Sequence, residues 1–329
     1  MGNARFVSER PAMSETESDG RLRMILLNIN KEEHARSYPA EAGSAWWPEG
    51  AYESRGFVGE SILVVAPSGK TMLIDAAWAS GYSLPDWGEI DYGTNPVLPF
   101  LKREGVSTID WAVVSHQHYD HIGGIAEIVR SKNVEVKALL WSPLPDELFK
   151  KYESTLASDC ITLTDDLANA CKDHAVSMVE ATQGETIDLG DGVSLEVIST
   201  SVPDREIESY VNNNCVVLRL TYGNFAVVLT GDAGFGQEKR IMADWKDLTS
   251  DVLKLGHHGG AGATSEAWLQ AVGPTVGVSS MPRWLSEDER GLRVQRQLER
   301  AGINFYRTWE HGNIEIQSDG HEFWVITDV

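Results

Sequence analysis

Cysteine is scarce in this chain: Cys160, Cys171 and Cys215 are the only three among 329 residues. An odd count without paired-ligand spacing excludes a disulfide framework and points to a reducing, cytoplasmic setting. Long apolar runs are also missing. No stretch approaches the roughly 20 continuous apolar residues of a membrane helix, so no membrane partner is expected. The N-terminal stretch lacks the apolar centre of a signal peptide, and residues 1–20 are expected to form a flexible tail. Positive charge is in deficit as well, with 28 Lys and Arg against 49 Asp and Glu and a net charge of −21. Gripping a long nucleic-acid backbone normally takes a basic patch, so a small-molecule substrate is the better match. No G-x-S-x-G motif is present. The stretch "GDAGFG" lacks both the G-x-G-x-x-G order and a P-loop lysine, which removes a phosphate-cradling loop from consideration.

What remains is ample for a core: 42% of the residues are hydrophobic, which argues against global disorder. Apolar runs at 22–29, 61–67 and 71–77 read as strands, followed by a helical spacing over 95–106 that ends at a glycine. The run 109–115 predicts a strand, 125–132 a helix, 135–141 a strand, and 145–175 mostly helix. Strands follow at 194–200 and at 215–223 with 224–231, joined as a hairpin. The remainder alternates strand and helix from 251, then closes with two strands. Two batches of strands with interspersed helices suit a layered α/β sandwich better than a doubly wound sheet. Residues 21–329 are read as one domain, interrupted by a long insertion at 31–58. Its aromatics, Trp46 and Trp47 above all, are read as a substrate-facing flap or as plugs of the sandwich edge.

The stretch "SHQHYDHIGG" (115–124) concentrates three of nine histidines in six positions. On a strand end, His116 and His118 point to the same side, because side chains alternate with period two, so both can reach one ion. Asp120 and His121 sit where the chain turns, and can be aimed at a second. Imidazole with carboxylate suits zinc, iron or manganese, and the absence of thiolate ligands suits an open, reactive site. The competing account, Asp120 as a helix N-cap among solvated histidines, does not explain the spacing ahead of Gly123 and Gly124. Downstream, "VVLTGDAG" places Asp232, and "VLKLGHHGG" places His257 and His258, at further strand ends.

This order of motifs resembles the metallo-β-lactamase-fold hydrolases. It is closest to the metallo-hydrolase domain of the bacterial DNA-uptake competence protein ComEC and its free-standing relatives. The likeness runs from about residue 22 to the C-terminus, apart from the insertion and the 143–190 region. It implies a four-layer αββα metallo-β-lactamase-type sandwich. It also implies that His116 and His118 hold a first ion, that Asp120 and His121 hold a second, and that Asp232 bridges them. His257 would complete the second site, with His258 as a hydrogen-bond donor to substrate or as the true ligand. Asp75 would support the ligands from behind. Many superfamily members have a further histidine before the bridging aspartate, and residues 198–220 contain none. His174 lies in a helical stretch and reads as a surface residue. Asn213 and Asn214 resemble an Asn-rich motif of the competence-type relatives, so water or an amide oxygen would complete the first site.

Two cations a few ångströms apart suit hydrolysis by an activated water, with Asp120 the natural partner for its proton. One or two zinc ions are expected, with manganese or iron as substitutes. A phosphodiester or phosphomonoester is the first choice of substrate. Hydrolysis of a lactone, ester or amide is the alternative, and a non-catalytic metal-binding module that recognises a ligand is the third reading. A homodimer is compatible with all three.

Overall fold

Strands are laid down in two consecutive series, and the chain returns to the first at its end. A computed structural model describes residues 5–6, 20–29, 59–82, 93–153, 156–202 and 209–329. The first series is β1 (Arg5–Phe6), β2 (Leu22–Leu26), β3 (Ile62–Val65), β4 (Thr71–Ile74), β5 (Thr108–Val113), β6 (Glu135–Trp141) and β7 (Ser177–Glu180). The second is β8 (Thr186–Gly190), β9 (Val193–Ser199), β10 (Val217–Tyr222), β11 (Phe225–Leu229), β12 (Val252–Lys254), β13 (Val276–Ser279) and β14 (Asn304–Arg307). Finally β15 (Ile314–Ser318) and β16 (Glu322–Thr327) pair with each other, and β15 lies against β2. Among the described residues this gives a nine-stranded sheet, β1-β16-β15-β2-β3-β4-β5-β6-β7, and a seven-stranded sheet, β14-β13-β12-β11-β10-β9-β8.

Within each sheet the strands that run parallel need helical crossovers. β4 to β7 are parallel neighbours, as are β11 to β14. The connecting helices are α1 (Val97–Arg103), α2 (Tyr119–Ile122), α3 (Ile125–Arg130), α4 (Asp146–Tyr152) and α5 (Ala157–Asp173) for the first sheet. For the second they are α6 (Phe235–Asp244), α7 (Glu266–Val272), α8 (Arg283–Glu287) and α9 (Glu289–Ala301). The starts and stops of α7 and α9 are written locally. Ser265 and Asp288 accept backbone N–H groups at the N-caps, and Gly273 and Gly302 end the helices in the left-handed region.

Strand alternation then divides the core. Leu22, Met24, Leu26, Met72, Ile74, Leu218, Leu220, Val227 and Leu229 meet between the two sheets. Ile25, Leu73 and Ala112 point the other way, onto α1, α3 and α5. Val217, Val228 and Leu253 pack under α6, α7 and α9. Helices on both outer faces and two sheets inside make the expected four-layer αββα sandwich. Burying each such side chain contributes about 1.5–3 kcal/mol.

Two readings need adjustment. Arg5 and Phe6, placed in a free tail, pair in parallel with Glu322 and Phe323, where the Phe6 and Phe323 ring centroids are 5.3 Å apart. β7 and β8 escaped the sequence reading because they are edge strands with much polar, exposed surface, so neither carries an apolar run. The 31–58 insertion with Trp46 and Trp47, and most of the tail, lie outside the described residues.

The consequence for function is geometric. Asp75 follows β4, His116 follows β5, Asp232 follows β11, His258 follows β12 and Ser280 follows β13. All five are presented at the carboxyl ends of parallel strands, where α/β sheets place their ligands.

Candidate metal centre

Past β5 the chain bends at Ser115, Gln117 and His118; His118 is the N-cap of α2 (φ −69°, ψ 146°), and Asp120 and His121 occupy the helix itself. His116 Nε2 and His118 Nδ1 converge to 3.1 Å. Asp232 divides its carboxylate between two groups of side chains. Its Oδ2 lies 3.9 Å from His116 Nε2, whereas its Oδ1 lies 3.4 Å from His121 Nε2 and 3.6 Å from His258 Nε2. Asp120 Oδ2 joins the second group, 3.3 Å from His258 Nε2 and 3.7 Å from His121 Nε2. One donor set is therefore His116, His118 and Asp232; the other is Asp120, His121, His258 and Asp232.

Glycine makes this crowding possible. Gly231, at φ 52°, brings the Asp232 turn so close that a Cβ there would lie 2.8 Å from Ser115 Cβ. A Cβ on Gly124 would come within 2.2 Å of the Ala76 carbonyl oxygen. Strain is concentrated at the same place: Asp75, Ala77, His257 and His258, all non-glycine, have φ between 49° and 58°, a region that costs such residues energy and marks functional sites.

Hydrogen bonding fixes which imidazole nitrogen faces inward. Asp75 is fully buried. It accepts from Ser115 N (2.8 Å), Ser115 Oγ (2.6 Å) and His121 Nδ1 (2.8 Å). The carboxylate accepts the His121 proton at Nδ1, so the neutral ring, the form that binds metal, carries its lone pair on Nε2. Ser115 Oγ gives its proton to Asp75 and lies 3.0 Å from His116 Nδ1, so it accepts there and leaves His116 Nε2 free. The inward atoms His121 Nε2, His258 Nε2 and Asp232 Oδ1 are buried without a hydrogen bond. Orphaned buried groups of this kind are rare and costly. A divalent cation satisfies lone pairs that cannot satisfy one another, and the donor set fits one. Among the described residues four His/Asp/Glu groupings have ligand atoms within 4.8 Å, including His116, His121 and Asp232, and Asp120, His121 and His258.

Electrostatics agree. Burial and the neighbouring His121 hold His116 well below the ordinary imidazole range, so it is neutral. Burial works to raise Asp232, but His258 and His121 outweigh it and hold the carboxyl well below its usual value. The cysteines contribute nothing: all three are buried and free, and burial pushes Cys171 up to about 11 and Cys215 well above its ordinary value.

The structure separates the rings of the 257–258 pair. His257, expected to ligate, has its side chain 42% exposed and its Nε2 4.0 Å from Asp232 Oδ2; like His118, it belongs to none of the close groupings among the described residues. His258, expected foremost as a donor to substrate, is buried within the second set. Consecutive left-handed residues send their rings apart, to a centroid distance of 6.4 Å, and the sequence does not say which turns inward. Asn213 and Asn214 also differ from expectation. Asn213 Oδ1 accepts from Gln237 N at 2.8 Å and Asn214 Oδ1 from Val202 N at 2.7 Å. Both amide oxygens are thus engaged, one by the first turn of α6 and one by the backbone of Val202. The further imidazole beside the first set is His257, whose Nε2 approaches the same Asp232 Oδ2 that faces His116. His174 is exposed at the end of α5.

Sequence reasoning missed four residues. Glu153, following α4, lies 3.8 Å from His118 Nε2. Lys254 and Glu60 form an ion pair with almost no exposure, and Ser280 joins Glu60 to His258. The available signal was a lysine inside an apolar strand and a glutamate beside another, since a buried charge requires a partner.

Residues 55–281 match the family model of the metallo-beta-lactamase superfamily. ComE operon protein 3 of Bacillus subtilis is 28% identical over 262 residues, 78% of this chain and 31% of that protein. Competence protein ComA of Neisseria gonorrhoeae is 25% identical over 250 residues, 76% of this chain and 31% of that one. The chain thus spans about a third of the length of the curated relatives it matches. Among solved structures, zinc-bound PqqB from Methylobacterium extorquens superposes with a TM-score of 0.49 at 12% identity, covering 87% of this chain and 97% of that one. A diphosphatase of the PhnP family gives 0.45 at 15%, covering 90% and 98%.

Proposed function

The chain belongs to the metallo-β-lactamase superfamily, and from that premise we propose that it is a metal-dependent hydrolase of a small phosphoester, a phosphodiester or phosphomonoester. The observation that carries the reading is the divided carboxylate of Asp232, with one oxygen beside His116 and the other beside His121 and His258. His116, His118 and Asp232 would hold one cation, and Asp120, His121, His258 and Asp232 the other. Paired cations supply an activated water near neutral pH, polarise the ester and offset charge on the leaving oxygen. Zinc suits the donors, and manganese or iron are compatible.

The residues themselves do the rest. Asp120, 12% exposed at the side chain, is the carboxylate placed to take the water's proton. His257 stands at the rim with Nδ1 donating to the Ala261 carbonyl at 3.0 Å, which leaves Nε2 facing the cleft. There it can accept a proton or, once protonated, pass one to the leaving group. A net charge of −21 favours a compact ester held by metal over a long polyanion.

The test is a panel of bis-p-nitrophenyl phosphate, p-nitrophenyl phosphate, nitrocefin and a lactone, run on metal-analysed protein before and after chelation. Chelator-sensitive turnover of a phosphate ester is expected. Turnover confined to the lactone or nitrocefin would move the assignment to carbonyl hydrolysis, and protein that takes up no metal would remove the hydrolase reading.

A further inference from the structure

Behind the second donor set lies a chain of buried polar groups that begins at a lysine. Lys254 ends β12 with no exposure at all, and its ammonium pairs with Glu60, itself 1% exposed. The same ammonium donates to the Gly231 carbonyl at 2.8 Å, immediately before Asp232. Glu60 Oε2 accepts the hydroxyl proton of Ser280 at 2.9 Å. Ser280 Oγ in turn lies 2.9 Å from His258 Nδ1. The backbone of Glu60 is tied to the site too, its N–H donating to the Asp120 carbonyl at 3.0 Å.

Proton counting gives this chain one direction. A carboxylate only accepts, and a serine hydroxyl has one proton to give. That proton goes to Glu60, so Ser280 must accept from Nδ1–H of His258. The lone pair of His258 then sits on Nε2, 3.3 Å from Asp120 Oδ2 and 3.6 Å from Asp232 Oδ1. The arrangement repeats, on an unrelated pair of strands, the series Asp75–Ser115–His116.

We infer that Ser280 and Glu60, with Glu60 held by Lys254, are positioning residues that set the tautomer and ring orientation of His258 for metal binding. The inference rests on the metal-dependent reading above and adds to it the residues that tune one ligand. Glu60 has a competing role, because its Oε1 has no hydrogen bond and it groups with Asp232 and His258 closely enough to ligate directly.

Ser280→Ala, Ser280→Thr and Glu60→Gln in the full chain separate these roles. Ser280→Ala leaves the Lys254–Glu60 pair intact, so the fold is retained. Zinc and cobalt titrations with a competing chelator should show affinity for one ion reduced about 10- to 100-fold in Ser280→Ala, an altered cobalt spectrum, and recovery in Ser280→Thr. Nitrogen-15 NMR of the metal-free protein should report His258 protonated at Nδ1 in the parent and a mixed tautomer in Ser280→Ala. Parent-like affinity and tautomer in Ser280→Ala would overturn the inference. So would loss of a whole metal equivalent in Glu60→Gln alone, which would make Glu60 a ligand. If the parent binds no metal the proposed function falls, while the tautomer measurement still decides the role of Ser280.

Discussion

Replacing Asp75 by asparagine changes the chemistry of one atom and little else. The residue sits at φ 58°, a region asparagine tolerates better than most, so the backbone is expected to hold. The parent carboxylate accepts three hydrogen bonds, at 2.8 Å from Ser115 N, 2.6 Å from Ser115 Oγ and 2.8 Å from His121 Nδ1. An asparagine that keeps its oxygen toward Ser115 N–H turns its NH2 toward the serine hydroxyl and the imidazole. The hydroxyl can rotate to accept. His121 cannot present N–H to N–H, so its proton moves to Nε2, the atom 3.4 Å from Asp232 Oδ1. The lone pair needed for ligation is then covered. Losing the carboxylate partner of a ligating histidine typically lowers metal affinity 10- to 100-fold, about 1.4–2.8 kcal/mol. All three hydrogen bonds lose the charge assistance of the carboxylate, so the metal-free protein should lose about 1–3 kcal/mol and melt a few degrees earlier. Zinc competition with a chromophoric chelator, run beside thermal denaturation, measures both quantities. A folded Asp75→Asn protein that binds zinc like the parent would refute the claim that Asp75 sets the His121 tautomer.

Asp120→Ala and Asp232→Ala should each abolish hydrolysis, whereas His174→Ala should stay near parent activity because that ring is exposed at the end of α5. His258→Ala should lose metal affinity, while His257→Ala should keep its metal and lose turnover; the opposite pattern in metal analysis would return His257 to the ligand set. In the metal-free protein burial lowers His121, but Asp232, Asp120 and Asp75 outweigh it and raise it well above 6.5. A raised folded-state pKa gives stability that is full below the unfolded value and lost as pH rises through the folded one. The metal-free Tm should therefore decline from neutral into alkaline pH while zinc affinity climbs over the same span, and a flat affinity profile would contradict the assignment of His121 Nε2.

The sequence was most legible where one strand carried its own information. The H-x-H-x-D-H spacing, the end of β11 and the end of β12 each announced polar ligands after an apolar run, so the residues around Asp232 could be named. Sheet membership was less legible. β15 pairs with β2 across 292 residues, as the Arg23–Glu315 ion pair shows, and no local pattern encodes that partner. The choice between His257 and His258 depends on two consecutive left-handed dihedrals, which the glycines at 256 and 259 hint at without ordering. Ser280 and Glu60 were invisible for another reason. They are 220 positions apart, and a serine after an apolar strand has many ordinary explanations until the groups facing it are known.

The two donor sets are unequal, and the inequality bears on how the site fills. The second set has four donors, Asp120, His121, His258 and Asp232, and buried carboxylates orient two of its imidazoles, Asp75 directly and Glu60 through Ser280. The first has three, with the rim residue His257 4.0 Å from its Asp232 oxygen, and among the described residues His118 Nε2 faces Glu153 at 3.8 Å, too long for a hydrogen bond. Four oriented donors close a tetrahedral zinc site, whereas three leave a position for water or substrate. Zinc should therefore bind in two resolved steps, the tighter at the second set. His118→Ala should remove the weaker step and leave the tighter one close to its parent value, measured by calorimetry on chelator-stripped protein. His258→Ala should weaken the tighter step at least tenfold. If His118→Ala instead eliminated the tighter step, or both steps vanished together, ligand count and orientation would not be what ranks the two sites.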